Sequence, residues 1–208
     1  MALLFANNNS LSAITTKPSG LSGGALTLIK TLTASSSSTL SFVHGSSDVV
    51  LDSTYPIYVF KFINLNPATN DKKFQFNLSV DSGSNYNVSK TTTYFHAFHN
   101  ESGSATLFGY STGNDLANGT GVQVFTESAG SGSDESVSGE MMFFNLSSNT
   151  FVKHYMARTS TYYTSDYAVD VHNSGYANTT SPINAIQFSV EAGGNFDGTI
   201  KLYGIRDS

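Results

Sequence analysis

The chain has no cysteine and no tryptophan, only four prolines, and just 12% charged residues among its 208. Without cysteine there is no disulfide framework, no thiolate metal ligand and no thiol nucleophile. Ten Lys and Arg face fifteen Asp and Glu, for a net charge of -5, so the basic stripe expected of a nucleic-acid binder is missing. Long apolar runs are missing as well. None approaches the roughly 20 residues that a membrane-spanning helix needs. The opening Met1 to Ala6 lacks a basic n-region and its apolar run stops at Asn7. It is not expected to be a signal peptide, and a soluble, unprocessed chain is the expectation.

Hydroxyls and amides take the place of charge: 32 Ser, 22 Thr and 18 Asn, with 18 Gly. Fifteen Phe, eleven Tyr and 39% apolar residues still provide enough area to offset chain entropy, which argues for a folded chain. At this length one domain burying roughly 70% of its unfolded surface is expected. Seven Asn-x-Ser/Thr triplets, at Asn8, Asn77, Asn87, Asn100, Asn118, Asn145 and Asn178, exceed only slightly the roughly four to five that this composition supplies by chance. Composition explains them better than glycosylation does.

Helical periodicity is nearly absent, whereas period-two alternation rich in aromatic and β-branched residues recurs from about residue 26 onward. Residues 26–32 and 40–43, separated by Ser35 to Ser38, read as a hairpin with a flexible tip. The run from Ile57 to Ile63 is apolar on both faces apart from Lys61, which predicts a central strand covered on both sides. In the run from Phe74 to Val80, Phe74, Phe76, Leu78 and Val80 share one face while Gln75, Asn77 and Ser79 share a solvated one. Further strands are predicted at 91–98, 122–126, 137–146, 151–163, 183–190 and 199–205, with 109–115 and 128–135 as loops. About ten strands with no intervening helix predict an all-β, antiparallel sandwich of jelly-roll type over residues 25–208.

Residues 78–86 and 188–196 share an apolar-Ser-Val-acid-x-Gly-x-Asn-aromatic pattern. Two hairpins solving one turn problem explain this better than a symmetric pair of loops on one rim. Residues 1–24 are broken by Asn7 to Asn9, Pro18 and Gly23-Gly24, yet Leu3, Leu4, Phe5, Leu11 and Ile14 are too apolar for a purely solvated tail. A disordered tail and an arm ordered against a neighbouring subunit remain open alternatives.

No catalytic residue, metal ligand set or cofactor site emerges. His96 and His99 sit three apart on a strand and so point to opposite faces, while His44, His154 and His172 are scattered singly. The oxygen-rich Asp81 to Asn85 lacks the additional carboxylates of a calcium loop and reads as a turn. Asp115, Glu127, Asp134, Glu135 and Glu140 fall mostly in loops, where charge serves solubility, and no local motif pairs them for glycoside hydrolysis. The best recognition surface is the tyrosine-rich stretch with Tyr162, Tyr163 and Tyr167, since tyrosine offers a rigid amphipathic face at low entropic cost. Tyr155 reads instead as a core residue with its hydroxyl in water.

The opening Met-Ala-Leu-Leu-Phe-Ala-Asn-Asn-Asn-Ser, the segment Asn66 to Asp71, the Asp81 to Tyr86 turn and the ending Gly198 to Ile205 resemble virion proteins of tailed bacteriophages. The resemblance runs over most of the chain but rests on strand-and-turn phrases, so it implies a class and carries no functional residue. It implies a non-enzymatic virion protein, made in the host bacterial cytoplasm. Its first expected role is capsid decoration, a cement protein bound to the outer shell. Its partners would be the major capsid protein or other virion proteins, and further copies of itself as a dimer or trimer. The alternative is a tail-fibre or receptor-binding, lectin-like module for host-surface glycans; a capsule-degrading hydrolase ranks last.

Overall fold

In the computed structural model, which describes residues 26–206, the period-two alternation resolves into twelve strands. They are β1 (Leu26–Ser37), β2 (Thr39–Val43), β3 (Ile57–Pro67), β4 (Phe74–Ser79), β5 (Lys90–Asn100), β6 (Thr106–Tyr110), β7 (Gln123–Val124), β8 (Val137–Phe144), β9 (Lys153–Tyr163), β10 (Tyr167–Ala177), β11 (Ala185–Val190) and β12 (Phe196–Ile205). Antiparallel pairing assembles an eight-stranded sheet in the order β1, β12, β3, β8, β9, β10, β5, β6 and a four-stranded sheet in the order β2, β11, β4, β7. The apolar residues 1–24, including Leu3, Leu4, Phe5, Leu11 and Ile14, lie outside the described residues.

The two sheets pack face to face through phenylalanines drawn from both. Phe60 of β3 meets Phe42 of β2 edge to face at 5.1 Å, and Phe76 of β4 meets Tyr155 of β9 at 5.1 Å. Such pairs contribute about 0.5–1.5 kcal/mol each beyond the area they bury. With no tryptophan available, this network of phenylalanine edges fills the layer. The four-stranded sheet is too narrow to cover its partner. At its β7 edge, segment 111–129, which contains β7, closes over the inner face of β5, β10 and β9. Gln123 accepts the Thr92 hydroxyl at 2.7 Å, and Thr159 donates to the Phe125 carbonyl at 2.7 Å. A second small core, Tyr94, Val169 and Val171, forms there, with Phe98, Val124, Tyr163 and Tyr167 against it.

Several local expectations give way to long-range pairing. β1 and β2 are not a hairpin: β1 pairs with β12 and β2 with β11, so the serine run is a corner between sheets. It is not a free tip either, since the Ser36 amide donates to Asp197 at 2.7 Å. β3 is internal as predicted, but it is its inner residues Tyr58, Phe60, Phe62 and Leu65 that join the core between the sheets. On its outer side Val59 is buried, while Ile63 is exposed. Phe74, Phe76 and Leu78 face the core as predicted, whereas Val80 lies past the strand end and is exposed. Asn77 and Ser79, expected in solvent, are buried. Loops fold over them, and Asn77 donates to the carbonyls of Tyr86 and Thr120.

β6 and β10 were not among the predicted strands; β6 begins before the 109–115 stretch read as loop and ends inside it. The 128–135 loop is pinned, with Ala129 fully buried and the Ser131 amide donating to Asn70. The sequence echo proves local. Ser82 and Gly83 take positive φ, as do Ala192 and Gly193, but β4 and β11 run antiparallel, so their C-terminal turns lie at opposite ends of the sheet.

The outer face of the eight-stranded sheet has no second layer among the described residues. One cross-strand row there reads Leu28, Tyr203, Val59, Met142 and Met156. A neighbouring row reads Leu26, Ile205, Ile57 and Phe144. Leu28 and Met156 are more than half exposed, at 52% and 59%.

Candidate functional site

Two clefts flank the turn that joins β9 to β10. Alternation decides which side chain enters which. Tyr162 and Tyr163 are consecutive on β9 and therefore point to opposite sides of the sheet, so the predicted tyrosine rim is divided between the faces. Tyr162 lines an outer cleft of about 360 Å³ with His99, Glu101 and Asp134, and Tyr167 borders both this cleft and the inner one. Its hydroxyl donates to Asp166 at 3.1 Å and Glu101 at 3.3 Å, and the hydrogen bond to Asp166, with the neighbouring negative charges, pushes its phenol up to about 12.

Tyr163 and Tyr167 are direct cross-strand partners and line the inner cleft, a void of about 340 Å³. Their rings stand 5.7 Å apart at 82°, and Phe98 of β5 meets Tyr167 at 5.2 Å and 86°. His96, Glu127, Ser165 and Val169 complete the lining. Burial, together with the negative charges of Asp71 and Glu127, raises the Tyr163 phenol above its ordinary range.

Glu127 anchors the polar side of this cleft. Its Oε1 accepts from the Tyr94 hydroxyl at 2.9 Å, lies 2.7 Å from His96 Nδ1, and receives a long contact from the Asn114 amide at 3.4 Å. A carboxylate only accepts, so the His96 proton that faces it is on Nδ1. Oε2 has Lys73 Nζ at 3.8 Å, and Lys73 itself donates to Asn114 Oδ1 at 2.9 Å. Burial first, then the adjacent carboxylate, pushes the Tyr94 phenol far above its usual range. A hydroxyl so placed stays protonated and donates. The result is a preorganised acceptor beside three aromatic rings.

The remaining sequence candidates fall elsewhere. His96 faces inward and His99 outward, as alternation requires. Among the described residues, no three His, Asp or Glu side chains gather as a metal site. Glu127, read as a solubilising loop charge, is buried; Glu140 pairs with Lys61 on the outer sheet face; Glu135 accepts from the Gly132 amide; and Asp115 accepts the Tyr110 hydroxyl. The Asp81 loop is a turn: Ser79 Oγ and the Asn85 amide and side chain occupy its carboxylate, and these hydrogen bonds hold it at about 2. Tyr155 is a core residue, but its hydroxyl donates to buried Asn173 at 2.7 Å and does not reach water.

Sequence reasoning missed the pairing of His96 with Glu127, which stand 31 positions apart. The available signal was an acid set among Phe125, Thr126, Ser128 and Ala129, a run with no other charge. No family model, curated protein or solved structure matches the chain.

Proposed function

We propose that this chain is a non-enzymatic structural protein of a tailed-phage virion that binds the outside of the capsid shell as a decoration protein. The observation that carries the reading is the uncovered outer face of the eight-stranded sheet, where a row of apolar side chains crosses five neighbouring strands and Leu26, Leu28 and Met156 stand open to solvent. A contiguous apolar face of this kind marks an association surface. A shell that repeats one contact many times turns modest affinity into stable attachment. The partner is the major capsid protein, with copies of this chain arranged as dimers or trimers around the shell's symmetry axes. Jelly-roll winding belongs to the same reading: β1 to β2, β3 to β4 and β10 to β11 each pass from the large sheet to the small one.

Quantitative mass spectrometry of purified particles tests the role. Hundreds of copies per virion are expected, and a handful would reassign the chain to a tail. A Met156→Glu variant should fold normally and lose occupancy on particles; full occupancy would remove the outer face as the attachment surface.

A second reading, recognition of host-surface glycans by a receptor-binding module, is favoured by one specific observation. Tyr163 and Tyr167, expected from sequence to form a recognition rim, line one cleft with a buried carboxylate. Glycan-array binding that disappears on Tyr167→Ala would support it.

A further inference from the structure

We propose that the inner cleft is an aromatic cage for an ammonium head group, quaternary or alkylated. The inference rests on the second reading above, recognition through this cleft, and names the chemistry recognised. Phe98, Tyr163 and Tyr167 border one void, with Tyr167 nearly perpendicular to both neighbours. These three rings and the Glu127 carboxylate line the same void. A cation held in that void within about 6 Å of a ring centroid, over the ring's face, is attracted by the ring quadrupole.

The polar side of the void has the matching sign. Tyr94 and His96 occupy Glu127 Oε1, which leaves Oε2 with only Lys73 at 3.8 Å. Lys73 is tied to Asn114 and does not line the void. Ser165 supplies one hydroxyl. A void of about 340 Å³ with aromatic walls and acceptors at its base suits a compact, poorly hydrated cation better than a neutral sugar, which needs several directed donors as well. Among the described residues no lysine or arginine sits over these rings; the cation-π contact present is Arg206 on Tyr55, elsewhere in the molecule.

The test is a titration of the isotopically labelled full chain followed by amide NMR. The probes are tetramethylammonium, choline, the neutral isostere 3,3-dimethylbutan-1-ol and a neutral methyl glycoside. Tetramethylammonium and choline should shift the amides of Ser165, Tyr167 and Val169, while the alcohol and the glycoside should not. Phe98→Leu and Tyr167→Leu should each weaken binding about tenfold, in line with loss of one desolvated ring contact. Glu127→Gln, which keeps an acceptor for Tyr94, should weaken it too. Binding of the alcohol as tight as that of choline would overturn the cage, because the void would then be selecting shape without charge. Glycoside shifts without ammonium shifts would overturn the cage and leave the recognition reading standing. No response at these amides to any probe would remove both. Free choline and phosphatidylcholine vesicles distinguish a soluble or polymer-borne head group from a lipid one; binding to either is the expected chemistry.

Discussion

The Tyr94 hydroxyl donates to Glu127 Oε1 over 2.9 Å inside a cluster where both residues are almost fully buried. β5 supplies the donor and the segment after β7 supplies the acceptor, so this contact fastens segment 111–129 to the large sheet. Glu127→Ala would strand the Tyr94 hydroxyl and the His96 ring, while Lys73 keeps Asn114, and is expected to cost about 2–4 kcal/mol. Tyr94→Phe removes one hydrogen bond while Glu127 keeps His96, and should cost about 1 kcal/mol. Urea unfolding of the two variants and the double variant measures their coupling; additive losses would mean that the bond does not tie the segment down.

A buried ammonium without a carboxylate makes stability depend on pH. Lys90 is fully buried, donating to Asn77 Oδ1 at 2.6 Å and the Val88 carbonyl at 2.8 Å, and burial lowers it to about 8. The unfolded chain keeps this proton to about pH 10. Between pH 8 and 10 the unfolded state therefore binds more protons, and stability rises with pH by at most about 1.4 kcal/mol per unit. Below pH 8 the cost of charging Lys90 is fully present. Lys90→Met should flatten this rise in melting curves from pH 7.5 to 9.5, and an unchanged slope would assign the dependence to another group.

Gly139 of β8 lies where two strands leave no room for a side chain. A Cβ there would overlap the Arg158 carbonyl oxygen and the Thr159 backbone, neither of which can rotate away. Gly139→Ala is expected to cost about 2–3 kcal/mol, as overpacking against backbone does. Gly113, with nothing within 4 Å, serves as the control and should tolerate alanine within about 0.5 kcal/mol. Thermal denaturation of both variants gives the comparison.

Arg158 and Asp170 form a two-point ion pair on the outer face, at 3.0 and 2.8 Å. The arginine side chain is 66% exposed, so solvent screens the attraction. A double-mutant cycle should return less than about 1 kcal/mol, diminishing further in high salt. A larger, salt-insensitive value would mean that the face is more shielded than its exposure implies.

Properties that depend on a residue and its near neighbours were readable from the chain alone. Alternation exposed the all-β character, the inward face of Phe74, Phe76 and Leu78, the opposed directions of His96 and His99, and the Asp81 turn. Each is set within a few residues by side-chain direction or by a side chain bonding its own backbone. Pairing across the chain was a different matter. Nothing in residues 26–43 says that β1 will join β12 while β2 joins β11, because strand partners are chosen by the fit of whole sheets. β10 escaped notice because its outward Asp170, His172 and Ser174 break the apolar pattern, although Val169, Val171 and Asn173 are buried beneath them. Burial of Lys90, and the meeting of Glu127 with His96 and Tyr94, likewise exist only once loops have folded over the uncovered half of the large sheet. The tyrosines could be picked out as a recognition surface one residue at a time. That Tyr162 and Tyr163 point to opposite faces follows from alternation alone, but that Tyr163 and Tyr167 meet in one cleft follows from cross-strand register, which only the folded sheet supplies.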